Sequence, residues 1–232
     1  SVFRTRTMKE DKSVAVWLLV DGSGSMDGQK WICAKQSAMI LAEACKRAEI
    51  PCRVTSFSTK NVYEENSFDA GKLAESERRS ELLTSRLLSD WGQGYPPPLG
   101  AYRDSTFANN DDGESLEAVA KAFPKLRKEH RKIIIVMSDG QPAGFYEDKF
   151  STSRFCLPEH LKEVIKRIRS SNIEVYGVGY YSEAVQEYYG ENSPTYRPTT
   201  HSYESERDMS LISTEVGRIL LNLVDKTIRR HK

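Results

Sequence analysis

The chain has 232 residues, which is long enough for one α/β domain with a sizeable core of its own. Its 34 Lys and Arg residues balance 33 Asp and Glu residues, so the net charge of +1 does not favour nucleic acid or an anionic membrane as a partner. No apolar run approaches the roughly 18 residues that span a bilayer, and the four cysteines and four histidines lack the spacing of a zinc site. We expect the cysteines to be buried thiols of a cytoplasmic protein.

The first predicted elements follow a β-α-β order. Residues 14–20 form a continuous apolar run with a β-branched residue at each end, which is typical of a strand covered on both faces in a parallel sheet. Residues 28–48 predict a helix, because residues 30–48 contain no helix breaker, and residues 51–58 predict a second strand. We assign residues 1–12 to an N-terminal extension and residues 13–229 to a single domain.

Residues 60–110 predict an irregular insert. Within it, residues 71–90 are charged and look helical, whereas residues 91–110 are rich in Gly and Pro and predict a surface loop. We expect this loop to lie at the rim of the functional surface. After the insert, residues 114–128 predict a helix and the apolar run 133–137 predicts another strand.

The second half of the chain continues the alternation. A helix is predicted from Pro158, because apolar residues recur on one face after it. Residues 173–180 predict a strand, residues 196–203 a short strand, and residues 211–224 a closing amphipathic helix. The pattern predicts a doubly wound α/β fold, with a mostly parallel central sheet flanked by helices.

Two of the predicted strands end in carboxylates. The first leads into Asp21, and the strand at residues 133–137 leads through Ser138 into Asp139. Ligands of doubly wound sheets gather at the carboxyl ends of the strands. Ser23 and Ser25 alternate after Asp21, so their hydroxyls and the carboxylate can face the same way. This set of hard oxygen donors suits Mg²⁺ or Mn²⁺.

The segment NNDDGESL offers further oxygen donors before the helix at residues 114–128. Asn110, Asp111 and Asp112 are all candidates to contact the metal. The alternative is structural, since Asp112 is also a suitable N-cap for that helix. The sequence leaves open which of these residues contacts the metal.

Sequence motifs for an enzyme or a nucleotide site are incomplete. DGSGS lacks the GK[ST] ending of a P-loop and the spacing of a dinucleotide-binding GxGxxG. GSGSM is only superficially similar to a nucleophile elbow, and no sequence feature assigns His201 as its base. A magnesium-dependent phosphohydrolase is the alternative function, because two aspartates and Mg²⁺ can support phosphoryl chemistry. Such an enzyme needs a second carboxylate where Ser23 stands.

The order of these parts resembles the von Willebrand factor A (VWA) domain family. DGSGS at residues 21–25 matches the DxSxS motif of that family's metal-ion-dependent adhesion site, and VMSDGQP is similar to its fourth strand with a metal-associated aspartate. The resemblance covers residues 12–228 and implies a Rossmann-like VWA fold. It implies a metal shell formed, directly or through water, by Asp21, Ser23, Ser25 and Asp139. In the middle loop Asn110 takes the position of the family's Thr by spacing, while Asp112 is the better ligand chemically.

A closer resemblance is to the C-terminal VWA domain of the VWA-bearing subunit of aerobic cobaltochelatase. The segments DGESLEAVAKAF, RKIIIVMSDGQPAG, LPEHLKEVIKRI and IEVYGVGY follow the order found in that family. The resemblance implies a domain that docks a partner through Mg²⁺ or Mn²⁺, with an Asp or Glu of the partner completing the metal shell. It also implies an AAA+ ATPase and a large chelatase subunit as partners, and no catalytic activity of the domain by itself.

Overall fold

Strands and helices alternate along the chain. A computed structural model describes residues 13–61, 81–93, 109–140, 142–143, 156–191 and 193–196. The strands are β1 (Val14–Asp21), β2 (Cys52–Asn61), β3 (Glu81–Ser89), β4 (Arg131–Ser138), β5 (Ile173–Tyr180) and β6 (Thr195–Tyr196). The helices are α1 (Gln29–Arg47), α2 (Asp112–Leu126), α3 (Cys156–Ser170) and α4 (Ala184–Tyr189), and a single 3-10 turn spans Gly24–Met26.

One six-stranded sheet, in the order β3-β2-β1-β4-β5-β6, forms the centre of the domain. β1 pairs in parallel with β2 on one side and with β4 on the other, and the parallel pairing continues through β5 to β6. Both β1 and β4 are covered on both faces, and residues 15–21 and 133–138 are buried. This double coverage explains why both strands are continuous apolar runs in the sequence.

Helices cover both faces of the sheet. α1 lies on one face, where Leu41 belongs to the same buried cluster as Leu18 of β1. The helices α2, α3 and α4 lie on the opposite face, where Phe123 and Leu161 share a second cluster with Trp17. Successive residues of a strand point to opposite faces, so Trp17 and Leu18 connect the central strand to both layers. The predicted doubly wound, mostly parallel α/β fold is confirmed.

The prediction of a helix at residues 71–90 is wrong for the part that the structure describes. Residues Glu81–Ser89 form β3, which pairs antiparallel with β2 at the edge of the sheet, and residues 71–80 lie outside the described residues. Leu88 is buried in the cluster on the α1 face, whereas Leu83 and Leu87 are exposed. Pairing with β2 allows Leu88 to pack into this cluster, and such tertiary packing overrides the modest helix propensity of the segment.

The other predicted elements agree with the structure to within a few residues where the structure describes them. Of the predicted strand at residues 196–203, the structure describes Tyr196 alone, which lies in β6. α4 was not predicted. The predicted helix at residues 211–224 and most of the insert at residues 60–110 fall outside the described residues. Within the described ranges, no helix combines the length and apolar character required to cross a membrane.

Truncation of the central strand is expected to destabilise the fold strongly. Leu18 has no exposed surface, so Leu18→Ala leaves a cavity between β1 and α1 and should lower the free energy of unfolding by about 2–5 kcal/mol. Leu126→Ala is the matched control, since Leu126 is 50% exposed and the change should be about 0.5 kcal/mol or less. Urea denaturation followed by circular dichroism measures both, and equal losses would contradict the assigned core.

Candidate metal centre

The centre is built at the carboxyl ends of β1 and β4. The two strands pair in parallel with Val20 opposite Met137, which puts the last residues of the strands, Asp21 and Ser138, side by side. The Ser138 hydroxyl donates a hydrogen bond of 2.7 Å to Asp21 Oδ2. The parallel register therefore brings the loop after β1 and the loop after β4 together, as the sequence predicted for neighbouring strands.

The loop after β1 turns both serine hydroxyls towards each other. The backbone N–H of Ser23 donates to Asp21 Oδ1 at 2.8 Å, so the aspartate shapes the turn that follows it. The Oγ atoms of Ser23 and Ser25 are 3.0 Å apart. Ser23 is buried and Ser25 is exposed, so the hydroxyl pair extends from the interior to the surface. The turn thus collects two neutral oxygen donors beside one carboxylate.

In the loop before α2, the residue that caps the helix and the candidate metal ligand are two different aspartates. Asp111 is the N-cap, because its carboxylate accepts a hydrogen bond from the backbone N–H of Glu114. The predicted capping role of Asp112 is therefore wrong: this residue is the first of the helix and is buried. The Asn110 amide donates to Asp112 Oδ2 at 2.6 Å. Asp112 Oδ1 is buried and receives no hydrogen bond from the described part of the chain.

Asp139, in the loop after β4, resembles Asp112 in having one oxygen that is hydrogen-bonded and one that is not. Asp139 is buried, and its Oδ2 accepts a hydrogen bond and ion pair from Lys30 Nζ at 2.9 Å. Its Oδ1 is buried and accepts no hydrogen bond within the described ranges. Gly140 follows with a φ of +78°, and a Cβ there would lie 2.6 Å from the backbone nitrogen of Val185. The chain can therefore turn away under α4 immediately after the aspartate.

Lys30 was missed by the sequence analysis. It lies 109 positions before Asp139, and it is near the start of α1, where the helix dipole disfavours a positive charge. That unfavourable position could have identified Lys30. A lysine in the first turn of a helix is stabilised by a nearby carboxylate, and the loop before α1 suggests that acidic residues lie close to it. Its contact depends on the β1–β4 pairing, which one sequence does not specify.

Burial and mutual repulsion disfavour the ionised form of these acids. Burial raises the pKa of Asp21 to about 6, against the lowering effect of hydrogen bonds from Ser138 and Ser23. Burial raises the pKa of Asp112 well above its ordinary value, and the charges of Asp21, Asp111 and Asp139 add to this effect. Each ionised carboxylate therefore makes ionisation of the others less favourable. A bound cation would offset this repulsion.

The donor set can be tested against a divalent cation. No group of three or more His, Cys, Asp or Glu side chains in the described ranges is arranged to hold a metal by itself. A cation bound here would therefore use the hydroxyls of Ser23 and Ser25 together with carboxylates and water, as hard oxygen-binding ions do. The two buried carboxylate oxygens without a donor, on Asp112 and Asp139, fit such an ion.

Hydrogen bonds join some of the predicted site residues, whereas others interact through their charges. Asp21 directly contacts the Ser23 backbone, and Ser23 contacts Ser25, while Asn110 contacts Asp112. The charge of Asp139 acts on Asp21, and the charges of Asp21 and Asp139 act on Asp112. Coordination of a metal by any of them stays a prediction.

Removing the charge of Asp21 is expected to stabilise the metal-free protein at neutral pH. Because the folded state raises this pKa from 3.8 to about 6, it holds the proton more tightly than the unfolded chain does. This contribution to the free energy of unfolding falls as the pH rises from about 4 to about 6. Asp21→Asn should remove that fall and gain roughly 1–3 kcal/mol at about pH 7.

Urea unfolding in the presence of a chelator, across this pH range, measures the difference between variant and wild type. Asp27→Asn is the control, because Asp27 is an exposed acid of the same loop. A pH dependence of the Asp21→Asn variant that matches the wild type would contradict the assigned electrostatics.

Comparison with solved structures supports the fold assignment. The SpRpn10 VWA domain is similar with a TM-score of 0.51 and 15% identity, over 82% of this chain and 90% of that one. The pilus adhesin SpaC from Lactobacillus rhamnosus GG has a TM-score of 0.56 and 14% identity, over 92% of this chain and 31% of the adhesin. Proximal thread matrix protein 1 from the mussel byssus has a TM-score of 0.51 and 14% identity, over 89% and 46% of the two chains. At these identities the likeness shows a shared fold alone.

Comparison with protein families is more specific. Residues 2–197 match the family model described as the cobalamin biosynthesis protein CobT VWA domain, and this match covers far more than half of the 232 residues. The match agrees with the DxSxS motif at Asp21 and with the position of Asp139 after a buried parallel strand. The chain therefore belongs to the CobT VWA-domain family.

Proposed function

We propose that this domain binds a divalent cation at the ends of β1 and β4 and uses it to dock an acidic side chain of a partner protein. The observation that carries the proposal is the pair of buried carboxylate oxygens, Asp112 Oδ1 and Asp139 Oδ1, which accept no hydrogen bond in the described part of the chain. Buried oxygens without donors are costly, and a cation compensates them. The hydroxyl pair of Ser23 and Ser25 belongs to the loop that Asp21 shapes, and the charge of Asp21 interacts with those of Asp112 and Asp139.

Each residue has a distinct role in this proposal. Ser23 and Ser25 supply neutral oxygens, and Asp21 supplies a carboxylate whose orientation is set by Ser138. Asp112 and Asp139 supply further negative charge, directly or through water. Asn110 orients Asp112 by donating to its Oδ2. When bound, the cation supplies an open coordination position of the kind that accepts a carboxylate oxygen.

Mg²⁺ and Mn²⁺ are the ions that this centre suits best. Both prefer carboxylate, hydroxyl and water oxygens, and the centre contains no sulfur or imidazole donor among the residues identified above. Ser25 is exposed, which leaves a route for the cation and for a partner's side chain. The exposed side of the centre is thus the proposed docking surface.

The partners that we propose follow from the family. A VWA domain of the CobT type points to a cobaltochelatase complex, in which an AAA+ ATPase and a large chelatase subunit are the candidate docking partners. We place this complex in the cytoplasm, which fits the three buried free thiols Cys33, Cys45 and Cys52. In this proposal the domain transmits the effect of ATP hydrolysis by a separate subunit.

A phosphohydrolase activity is not proposed. Its nucleophile would be Asp21, but Asp21 is fully buried, and both of its oxygens accept hydrogen bonds, from the Ser23 N–H and the Ser138 hydroxyl. The position that would carry the second carboxylate is Ser23. These contacts favour a fixed metal-binding acid over an attacking one.

Metal binding should depend on Asp21. Calorimetric titration of the chelator-stripped domain with Mg²⁺ and Mn²⁺ should show binding by the wild type, and Asp21→Ala should weaken it by at least about tenfold. Asp27→Asn controls for a general loss of negative charge and should bind as the wild type does. Equal binding by the wild type and Asp21→Ala would overturn the proposed centre.

Docking should depend on the serine pair. A tagged domain should capture the AAA+ ATPase subunit in Mg²⁺, and the double variant Ser23→Ala, Ser25→Ala should lose that capture. The matched control is Ser170→Ala, Ser171→Ala. These serines lie before the start of β5, at the end of the parallel strands opposite to the proposed centre. Capture that persists in the first double variant, or in the presence of a chelator, would argue against docking through a cation.

A further inference from the structure

We propose that Lys30 sets the net charge of the cation-loaded centre, so that a partner's carboxylate can still bind there. This inference rests on the proposed function and concerns a residue outside the predicted metal ligands. Lys30 is positioned by the start of α1, and its ammonium lies 2.9 Å from Asp139 Oδ2. Lys30 is thus a cation of the protein itself at the edge of the proposed metal site.

The ion pair is partly buried and uses only one oxygen of its carboxylate. The Lys30 side chain is 29% exposed and the Asp139 side chain is 6% exposed. Ordinary surface pairs of this protein differ from it; in the pair of Lys121 with Glu117, for example, the lysine is 69% exposed. Lys30 donates to Oδ2 and so orients the carboxylate. The buried Oδ1 receives no hydrogen bond from the described residues and stays available to a cation. Limited exposure reduces solvent screening, so the charge of Lys30 acts more strongly on the centre than that of a surface lysine.

The charge of the centre explains why such a lysine is needed. The centre contains four buried carboxyl groups, those of Asp21, Asp111, Asp112 and Asp139. A bound divalent cation favours their ionised forms and cancels two of the four negative charges. The two charges that remain repel an incoming carboxylate, and Lys30 cancels one of them.

Asp112 and Lys30 therefore act in opposite directions. The charge of Asp112 strengthens the attraction for the cation while weakening that for a partner's carboxylate. Lys30 weakens cation binding by repulsion and strengthens the attraction for the carboxylate. Removing both charges restores the balance of the wild type, so the two residues form a testable pair.

Calorimetric titration with Mn²⁺ tests the first half of the inference. Lys30→Met should bind Mn²⁺ about tenfold more tightly than the wild type, Asp112→Asn about tenfold more weakly, and the double variant should lie near the wild type. Lys121→Met removes one positive charge far from the centre and should leave the affinity unchanged. Lys30→Arg keeps the charge and should also stay near the wild type.

Acetate serves as the carboxylate probe for the second half. Acetate is titrated into the Mn²⁺-loaded proteins, and water-proton relaxation reports its replacement of metal-bound water. Lys30→Met should bind acetate several-fold more weakly than the wild type, and Asp112→Asn more tightly. The opposite signs for cation and acetate distinguish charge balance from a structural defect, because a damaged site would lose affinity for both.

The outcomes separate the inference from the function on which it rests. If the wild type does not bind Mn²⁺, the proposed metal-dependent function fails and the inference with it. If the wild type binds Mn²⁺ but Lys30→Met binds it with equal or lower affinity, only the role of Lys30 is overturned. Circular dichroism of each variant confirms the fold, and Lys30→Gln, which also removes the positive charge, replaces Lys30→Met if that variant is unstable.

Discussion

The hydrogen bond from Ser138 to Asp21 is the contact on which the centre depends. It exists because β1 and β4 pair in parallel as the two central strands of the sheet, with Val20 opposite Met137. Both strands are buried on their two faces, so their ends are held rigidly, and the loops that follow them start from fixed positions. Asp21 then shapes its own loop through the Ser23 N–H, which brings the two serine hydroxyls together.

The buried carboxyl groups of the centre lower the stability of the fold. Asp21 and Asp112 are buried, and burial is the largest cause of the rise in the pKa of each. A domain selected for stability alone would hold neutral residues at these positions. The ion pair of Lys30 with Asp139 offsets part of this cost in the metal-free state, and a divalent cation would offset more. In the proposed function, cation binding and stability therefore depend on the same carboxylates.

The fold and part of the centre could be predicted from local sequence features. Continuous apolar runs mark β1 and β4. Asp21 follows the first run directly and Asp139 follows the second after Ser138, so their location at the carboxyl ends of these strands could be predicted. Features that depend on distant pairing could not be predicted. β3 becomes a strand because β2 offers it an edge, and Lys30 meets Asp139 only once β1 and β4 are neighbours. The sequence suggested Asp112 as the cap before α2, although the adjacent Asp111 is equally suited to that role, and the hydrogen bond from Glu114 shows that Asp111 is the cap.

The most direct test of this account is a crystal structure of the domain soaked with Mn²⁺, with anomalous scattering recorded at the manganese absorption edge. The account predicts one strong anomalous peak between the loops after β1 and β4, within coordination distance of the Ser23 and Ser25 hydroxyls and linked to Asp21, directly or through water. At a saturating Mn²⁺ concentration, the absence of a peak there, or a peak only at other acidic residues, would contradict the metal-dependent docking centre.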